Sequence, residues 1–300
     1  MTTGVLVVDK PAGPTSFDVV RRVSRLFGRE KAGHTGTLDP AATGVLGVCL
    51  GEAVKLQRFL MEGDKAYEAL VAFGASTTTE DAEGELVEVR DPAGLDEARV
   101  RAALPAFVGE LRQVPPMYSA VRVDGRRLHE SARRGEEVAR EPRTVRVDAL
   151  ELLGFEPPRE GRAMARLRVA CGKGTYVRTL AVDLGRALGL PAHLAALRRT
   201  AAGPFRLEQS IPLEEAERLG RETPAALAAR LVPLEAALGF LPAVRLSEGE
   251  ARDLRHGRLL PLPEVPPGYS VALGPGGEVL AVCEPSGGRL KPVRVLQGTN

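Results

Sequence analysis

The sequence predicts an α+β fold with a small β-rich module at the C-terminal end, and three features lead there. Strand-type alternation recurs over residues 65–73, 144–155 and 163–171, with side chains of one character at every second position. Amphipathic helical stretches occupy 15–27, 95–104 and 175–188, each with apolar residues returning at helical spacing. From about Ala243 the texture changes to proline-rich turns and short strands punctuated by glycine. These features set two domains, 1–240 and 243–300.

The elements follow in order. Residues 4–8 (GVLVV) form a short apolar run that reads as a buried strand. After the rigid Lys10-Pro11-Ala12-Gly13-Pro14 loop, Thr15 or Ser16 caps a helix to about Phe27, with Phe17, Val20, Val23 and Phe27 on its apolar face and Gly28 as its stop. Arg21, Arg22, Arg25, Arg29 and Lys31 lie on or beside that helix. Residues 45–50 form a second buried strand and 52–61 a short helix. Residues 74–84 make a hydroxyl-rich acidic loop containing Thr77, Thr79 and Asp81. Residues 113–143 carry seven arginines, Pro115-Pro116 and Asp124-Gly125 with few apolar residues, a composition suited to a protruding arm. Gly172-Lys173-Gly174 turns the chain into the helix that opens at Thr175 and holds Arg178 in its first turn. Residues 191–199 read as another helix, and 213–238 as alanine-rich helix interrupted by prolines.

Composition narrows the classes of function. Hydrophobic content of 44% and charged content of 27% suit a soluble globular chain with a real core. The net charge of +2 means that any nucleic-acid surface must be local. Cys49, Cys171 and Cys283 lack metal-ligand spacing and sit in apolar runs, so they read as core residues of a protein from a reducing cytosol. The N-terminal apolar run is too short for a signal peptide or a membrane span. The chain has no Walker loop, no GxGxxG and no metal-ligand cluster in its sequence.

Chemistry concentrates in residues 33–51, GHTGTLDPAATGVLGVCLG. This stretch packs a histidine, three hydroxyl residues and an aspartate among five glycines, ahead of the buried strand. Pro40 keeps Asp39 out of the helical region, so the carboxylate is held at a bend. On pattern alone Asp39 is a turn or cap residue, Tyr67 an aromatic in an alternating strand, and Arg178 a surface arginine on a helix.

An ordered set of motifs adds to this reading. They are DKPAGPTS (9–16), GHTGTLDPAATGVLGVCLGEA (33–53), KAY (65–67), TTTEDAEG (77–84), PPMYSAVRVDGRRL (115–128), CGKGTYVRTLAVDLG (171–185), HLAALRR (193–199) and GPF (203–205). In content and order they resemble the bacterial TruB-type tRNA pseudouridine synthases over nearly the whole chain. The resemblance implies a mixed, largely antiparallel sheet with flanking helices, and a C-terminal segment similar to a PUA module, a small RNA-binding β-barrel. It implies isomerisation of T-loop uridine 55 to pseudouridine, with no cofactor and no metal. The partner would be the T arm of tRNA, and the protein a cytoplasmic monomer that requires no protein partner.

The resemblance also implies residue roles. Asp39 is the catalytic aspartate, Tyr67 stacks on the base and takes the C5 proton, and Arg178 pairs with the aspartate. Asp81 is a second acid linked to that arginine, and Leu197 lines the uracil pocket. A stacked uridine must be flipped out, and His34 fills the gap that it leaves. Lys10 and the cluster from Arg21 to Lys31 hold phosphates, and the arm with Arg126 and Arg127 closes over RNA. His129 and Thr78 depart from the family pattern, away from this chemistry. A guide-RNA-dependent relative and a non-catalytic tRNA-folding chaperone are the alternatives.

Overall fold

A computed structural model describes residues 2–119, 122–123, 126–128, 132, 134, 136, 138–261 and 266–297. Asp124, Gly125, His129 and Arg133 of the arm lie outside the described residues. The chain divides into two compact units, Met1–Gly63 with Ala201–Asn300, and Asp64–Thr200.

The first unit begins with β1 (Gly4–Lys10), the strand expected from the GVLVV run, buried along nearly its whole length. Helix α1 (Ser16–Leu26) is capped by Thr15, whose hydroxyl accepts from Asp18 N–H while the Asp18 carboxylate accepts from Thr15 N–H. This reciprocal box satisfies donors that a helix start otherwise leaves open. The buried stripe of α1 is Ser16, Val19, Val20 and Val23. Phe17 was expected on it but is 62% exposed. The i, i+3, i+4, i+7 row starting at Ser16 faces the core and leaves Phe17 on its flank. Strand β2 (Ala32–His34) runs antiparallel to β3 (Thr43–Leu50), which is itself antiparallel to β1. A 3-10 turn (Gly51–Leu56) and helix α2 (Gln57–Leu60) occupy the short helical stretch expected there.

The second unit opens with β4 (Lys65–Phe73), where Tyr67, Ala69, Val71 and Phe73 are buried, as the alternation predicts. The hairpin of β5 (Ala75–Thr77) and β6 (Leu86–Val89) carries the acidic loop. Helix α3 (Glu97–Ala103), capped by Asp96, leads to β7 (Gly109–Gln113). Within the arm, β8 (Arg122–Val123) and β9 (Arg126–Arg127) pair antiparallel. Then come β10 (Arg143–Arg159), β11 (Arg162–Cys171), α4 (Val177–Ala187) and β12 (Ala192–Ala202). The sheet order is β12-β4-β11-β10-β7. Gln113 of β7 is paired with Arg143 of β10. The segment between them therefore leaves and re-enters the sheet at adjacent positions.

Strand β12 corrects the helix expected at 191–199. Alanine, leucine and arginine favour a helix intrinsically. Here the segment lies beside β4 in the sheet, and ladder pairing with burial overrides that preference.

The chain then returns to the first unit. Strand β13 (Phe205–Arg206) pairs with Ala201 and Ala202 at the end of β12, and β14 (Ile211–Pro212) runs parallel to β1. Helices α5 (Leu213–Glu222), α6 (Pro224–Ala228) and α7 (Leu234–Ala237) break where prolines occur. The C-terminal module consists of β15 (Ala243–Arg245), α8 (Glu248–Arg255), β16 (Leu260–Pro261), β17 (Ser270–Leu273), β18 (Val279–Ser286) and β19 (Arg289–Val295). Its five strands form one sheet in the order β15-β17-β18-β19-β16. One face of that sheet packs on α8 through Leu246, Leu254, Ala272, Leu280 and Leu290. From the other face, Val271, Val279 and Val282 join a single core with Val5, Val7, Val45 and Phe59. Among the described residues no helix is long and apolar enough to cross a membrane.

Candidate active site

In the first unit the Asp39 loop is braced by the chain that precedes it. Gly36 (φ 136°) and Gly44 (φ 102°) take backbone angles that a side chain would strain, and so let the chain turn at both ends of the loop. Ser16 locks Leu38 from both sides: its hydroxyl donates to Leu38 C=O at 2.9 Å and accepts from Leu38 N–H at 2.8 Å. The Pro40 carbonyl accepts from Gly13 N–H and from Lys10 Nζ, each at 2.9 Å. Lys10 Nζ also donates to Pro11 C=O at 2.8 Å. Asp39 C=O takes Ala42 N–H at 3.1 Å. Asp39 itself is half-buried on this pinned bend.

This geometry gives Lys10 a different task from the phosphate contact expected of it. The side chain is completely buried, and its Nζ donates to the backbone carbonyls of its neighbour Pro11 and of Pro40, the residue after Asp39. The DKPAGPTS segment acts as a frame for the GHTGTLDPA loop. His34 is half-buried at the end of β2, and its Nδ1 accepts from Gly36 N–H at 3.3 Å. That bond leaves the proton of a neutral ring on Nε2. Of the basic cluster beside the loop, Arg22 is engaged by Glu217 of α5 through two bonds of 2.6 and 2.8 Å. Arg21, Arg25, Arg29 and Lys31 are exposed.

In the second unit Arg178 lies in the first turn of α4 and is only 6% exposed. Its guanidinium donates to Thr79 C=O at 3.1 Å and to Tyr118 C=O at 2.7 Å, and lies 3.6 Å from the Asp81 carboxylate. One arginine thus joins the acidic loop to the base of the arm. Asp81 is oriented in turn by the Thr79 hydroxyl and by Glu83 N–H. The turn into α4 is held by Gln113, whose side-chain amide bonds both the N–H and the C=O of Tyr176. Next to Asp81, Glu80 takes a left-handed backbone angle (φ 64°) and accepts from the Thr179 hydroxyl at 3.0 Å. Burial pushes the Glu80 carboxyl up, against the Thr179 hydroxyl and the positive charge of Arg178.

Tyr67 is buried on β4 and hydrogen-bonded to Arg199 of the neighbouring strand β12. Arg199 is 1% exposed and is among the largest fully buried side chains. Burial pulls its guanidinium down from the ordinary arginine range, with the Tyr67 oxygen opposing. Leu197 is half-buried and shares a strand face with Arg199, two residues on. Arg126 and Arg127 both lie on β9 of the arm hairpin.

Comparisons with known proteins place the chain in a family. Residues 24–177 match the N-terminal domain of TruB family pseudouridylate synthase. Residues 178–239 match the tRNA pseudouridylate synthase B C-terminal domain, and 241–297 the C-terminal domain of tRNA pseudouridine synthase II. The chain belongs to the TruB family. It is accordingly a pseudouridine synthase by class, an isomerase. It is 47% identical over 298 residues to tRNA pseudouridine synthase B of Stutzerimonas stutzeri (strain A1501), covering 98% of this chain and 96% of that protein. It is 46% identical over 300 residues to tRNA pseudouridine synthase B of Burkholderia pseudomallei (strain K96243), covering 98% and 94%. The structure is also similar to a chain of a Cbf5-Nop10-Gar1 complex, with TM-score 0.76 and 28% identity over 97% of this chain and 84% of that one.

For a TruB family chain, the residues that sequence reasoning missed are those acting through backbone or through burial. Ser16, Gln113 and Glu80 belong to these motifs or their edges, yet no spacing rule marks a side chain that clamps a backbone amide or accepts from a distant hydroxyl. Arg199 was hidden by the helix reading. The alternation of Leu197 and Arg199 would have put both on one face had the segment been read as a strand.

Proposed function

We propose that this chain is a cytoplasmic tRNA pseudouridine synthase that converts the T-loop uridine at position 55 to pseudouridine. The relatives named tRNA pseudouridine synthase B support the substrate class. The observation that carries the chemical reading is the pinned bend at Asp39, where Ser16, Gly13 and Lys10 fix the backbone on both sides of one carboxylate. A site residue held this way loses little freedom on meeting its substrate.

In this reading the uridine is flipped from its stack, and His34 occupies the space left behind. Asp39 supplies the carboxylate at the glycosidic bond as N1 leaves C1′. The base turns and C5 bonds to C1′, leaving a hydrogen on a tetrahedral C5 and a double bond from N1 to C6. Tyr67 accepts the C5 proton. The C5–H electron pair restores the C5–C6 double bond, and N1 takes up a proton, so the whole is an isomerisation that needs no redox partner. Arg178 is the arginine proposed to orient the catalytic carboxylate, with Asp81 as its second acidic partner. Leu197 lines the uracil pocket. Arg126 and Arg127 of the arm hold phosphates.

The test uses an unmodified T-arm transcript with wild type and Asp39→Asn, without added guide RNA, protein or cofactor. Wild type forms pseudouridine at one uridine, and the variant binds the RNA with similar affinity but makes no product. Wild-type turnover by Asp39→Asn would remove Asp39 from the chemistry. Activity that depends on an added guide or partner would favour the reading suggested by the Cbf5 likeness. Retained binding by the variant is also where a tRNA-folding role would persist.

A further inference from the structure

We propose that Arg199 is the positioning residue that holds the Tyr67 phenol and stabilises its phenolate during proton transfer from C5, an inference that rests on the reading of Tyr67 as proton acceptor. A phenol removes a carbon-bound proton at neutral pH only if its anion is favoured, because its reference pKa is about 10. Burial alone works the wrong way, since desolvation disfavours the anion. Tyr67 is buried on β4, so a dedicated cation is required beside it.

The structure supplies one. Arg199 comes from the adjacent strand, is sealed from solvent and donates to the Tyr67 oxygen. An arginine has no acceptor, so the bond strengthens as negative charge develops on the phenol oxygen. Its planar fork also fixes where that oxygen lies. Other charged or titratable groups near Tyr67 in the sheet are Lys65 and Glu68 on its own strand and Arg168 and Cys171 on β11, and Arg198 is the chain neighbour of Arg199 on β12. Glu68 and Arg168 lie across the sheet from Tyr67 by strand alternation. Burial pushes the Cys171 thiol up to about 11, which keeps it neutral through the working range.

The test is a tyrosinate absorbance titration of the free protein. The four tyrosines are resolved by subtracting Tyr67→Phe from wild type. The Tyr67 signal is expected below the reference value of about 10, a comparison that needs no Arg199 variant. Arg199→Met should move it upward by at least about one pH unit, and Arg199→Lys should recover part of the shift. In the T-arm assay, Arg199→Met should lower kcat on the order of 100-fold with KM little changed, and move the rising limb of the pH profile to higher pH. A Tyr67 signal above the reference value in wild type, or one unmoved by Arg199→Met, overturns the proposal. In that case loss of activity in Tyr67→Phe would leave the reading of Tyr67 intact. Full activity in Tyr67→Phe would remove that reading, and the role of Arg199 with it.

Discussion

Lys10 and Glu80 are each a charged side chain whose surroundings, and not its type, set what it does. Lys10 is a buried ammonium on the carbonyls of Pro11 and Pro40. Charge-assisted bonds of this kind are each worth about 1.5–3 kcal/mol, and a buried carbonyl left unpaired adds its own cost. Lys10→Met should therefore lose about 2–4 kcal/mol in urea unfolding and lower kcat, while the salt dependence of RNA binding stays that of wild type. A reduced salt slope would return Lys10 to the phosphate role. Glu80 is the opposite case, a carboxyl raised in the fold chiefly by burial. A raised carboxyl contributes stability fully below the unfolded value, and that contribution is lost as pH rises through the folded value. Glu80→Gln keeps an acceptor for Thr179 and has no proton to lose. Relative to wild type, its urea midpoint should rise between pH 4 and pH 7, and parallel curves would exclude the burial account.

At the scale of elements, the arm joins position to function. Its base is fixed by the Gln113–Arg143 pair, by Gln113 on Tyr176 and by Arg178 on the Tyr118 carbonyl. Its hairpin carries Arg126 and Arg127 on β9. Changing both to alanine should weaken T-arm binding and shallow its log–log salt slope by about 1–2. An unchanged slope would mean that these arginines do not meet phosphate. Helix α1 is the complementary case of an element legible in advance: Thr15, Asp18 and the valines at 19, 20 and 23 specify its start and its buried stripe. Strand β12 was not legible, because residues with strong helix propensity were recruited into a sheet.

At the scale of the molecule, the C-terminal module is a recognisable segment of sequence but not an isolated body. Its β17–β18 face shares a core with Val5, Val7, Val45 and Phe59. Deleting 241–300 should expose that core and leave a truncated chain that unfolds at a much lower temperature and aggregates on heating. A truncated chain with the melting temperature of wild type would mean that this shared core contributes little.

The sequence by itself determined the α+β class, the two buried strands that flank the Asp39 loop, the alternation that buries Tyr67 and, through its ordered motifs, the TruB family. These are properties of local spacing, turn chemistry and type of residue, which are written in consecutive positions. Only the tertiary structure decided that Lys10 braces a loop, that Gln113 clamps the start of α4, and that Arg199 meets Tyr67. Those pairings join residues 30, 63 and 132 positions apart (Lys10–Pro40, Gln113–Tyr176, Tyr67–Arg199). Each depends on which strands and turns the fold brings side by side, and on burial, which turns a charge from a surface group into a structural or chemical one.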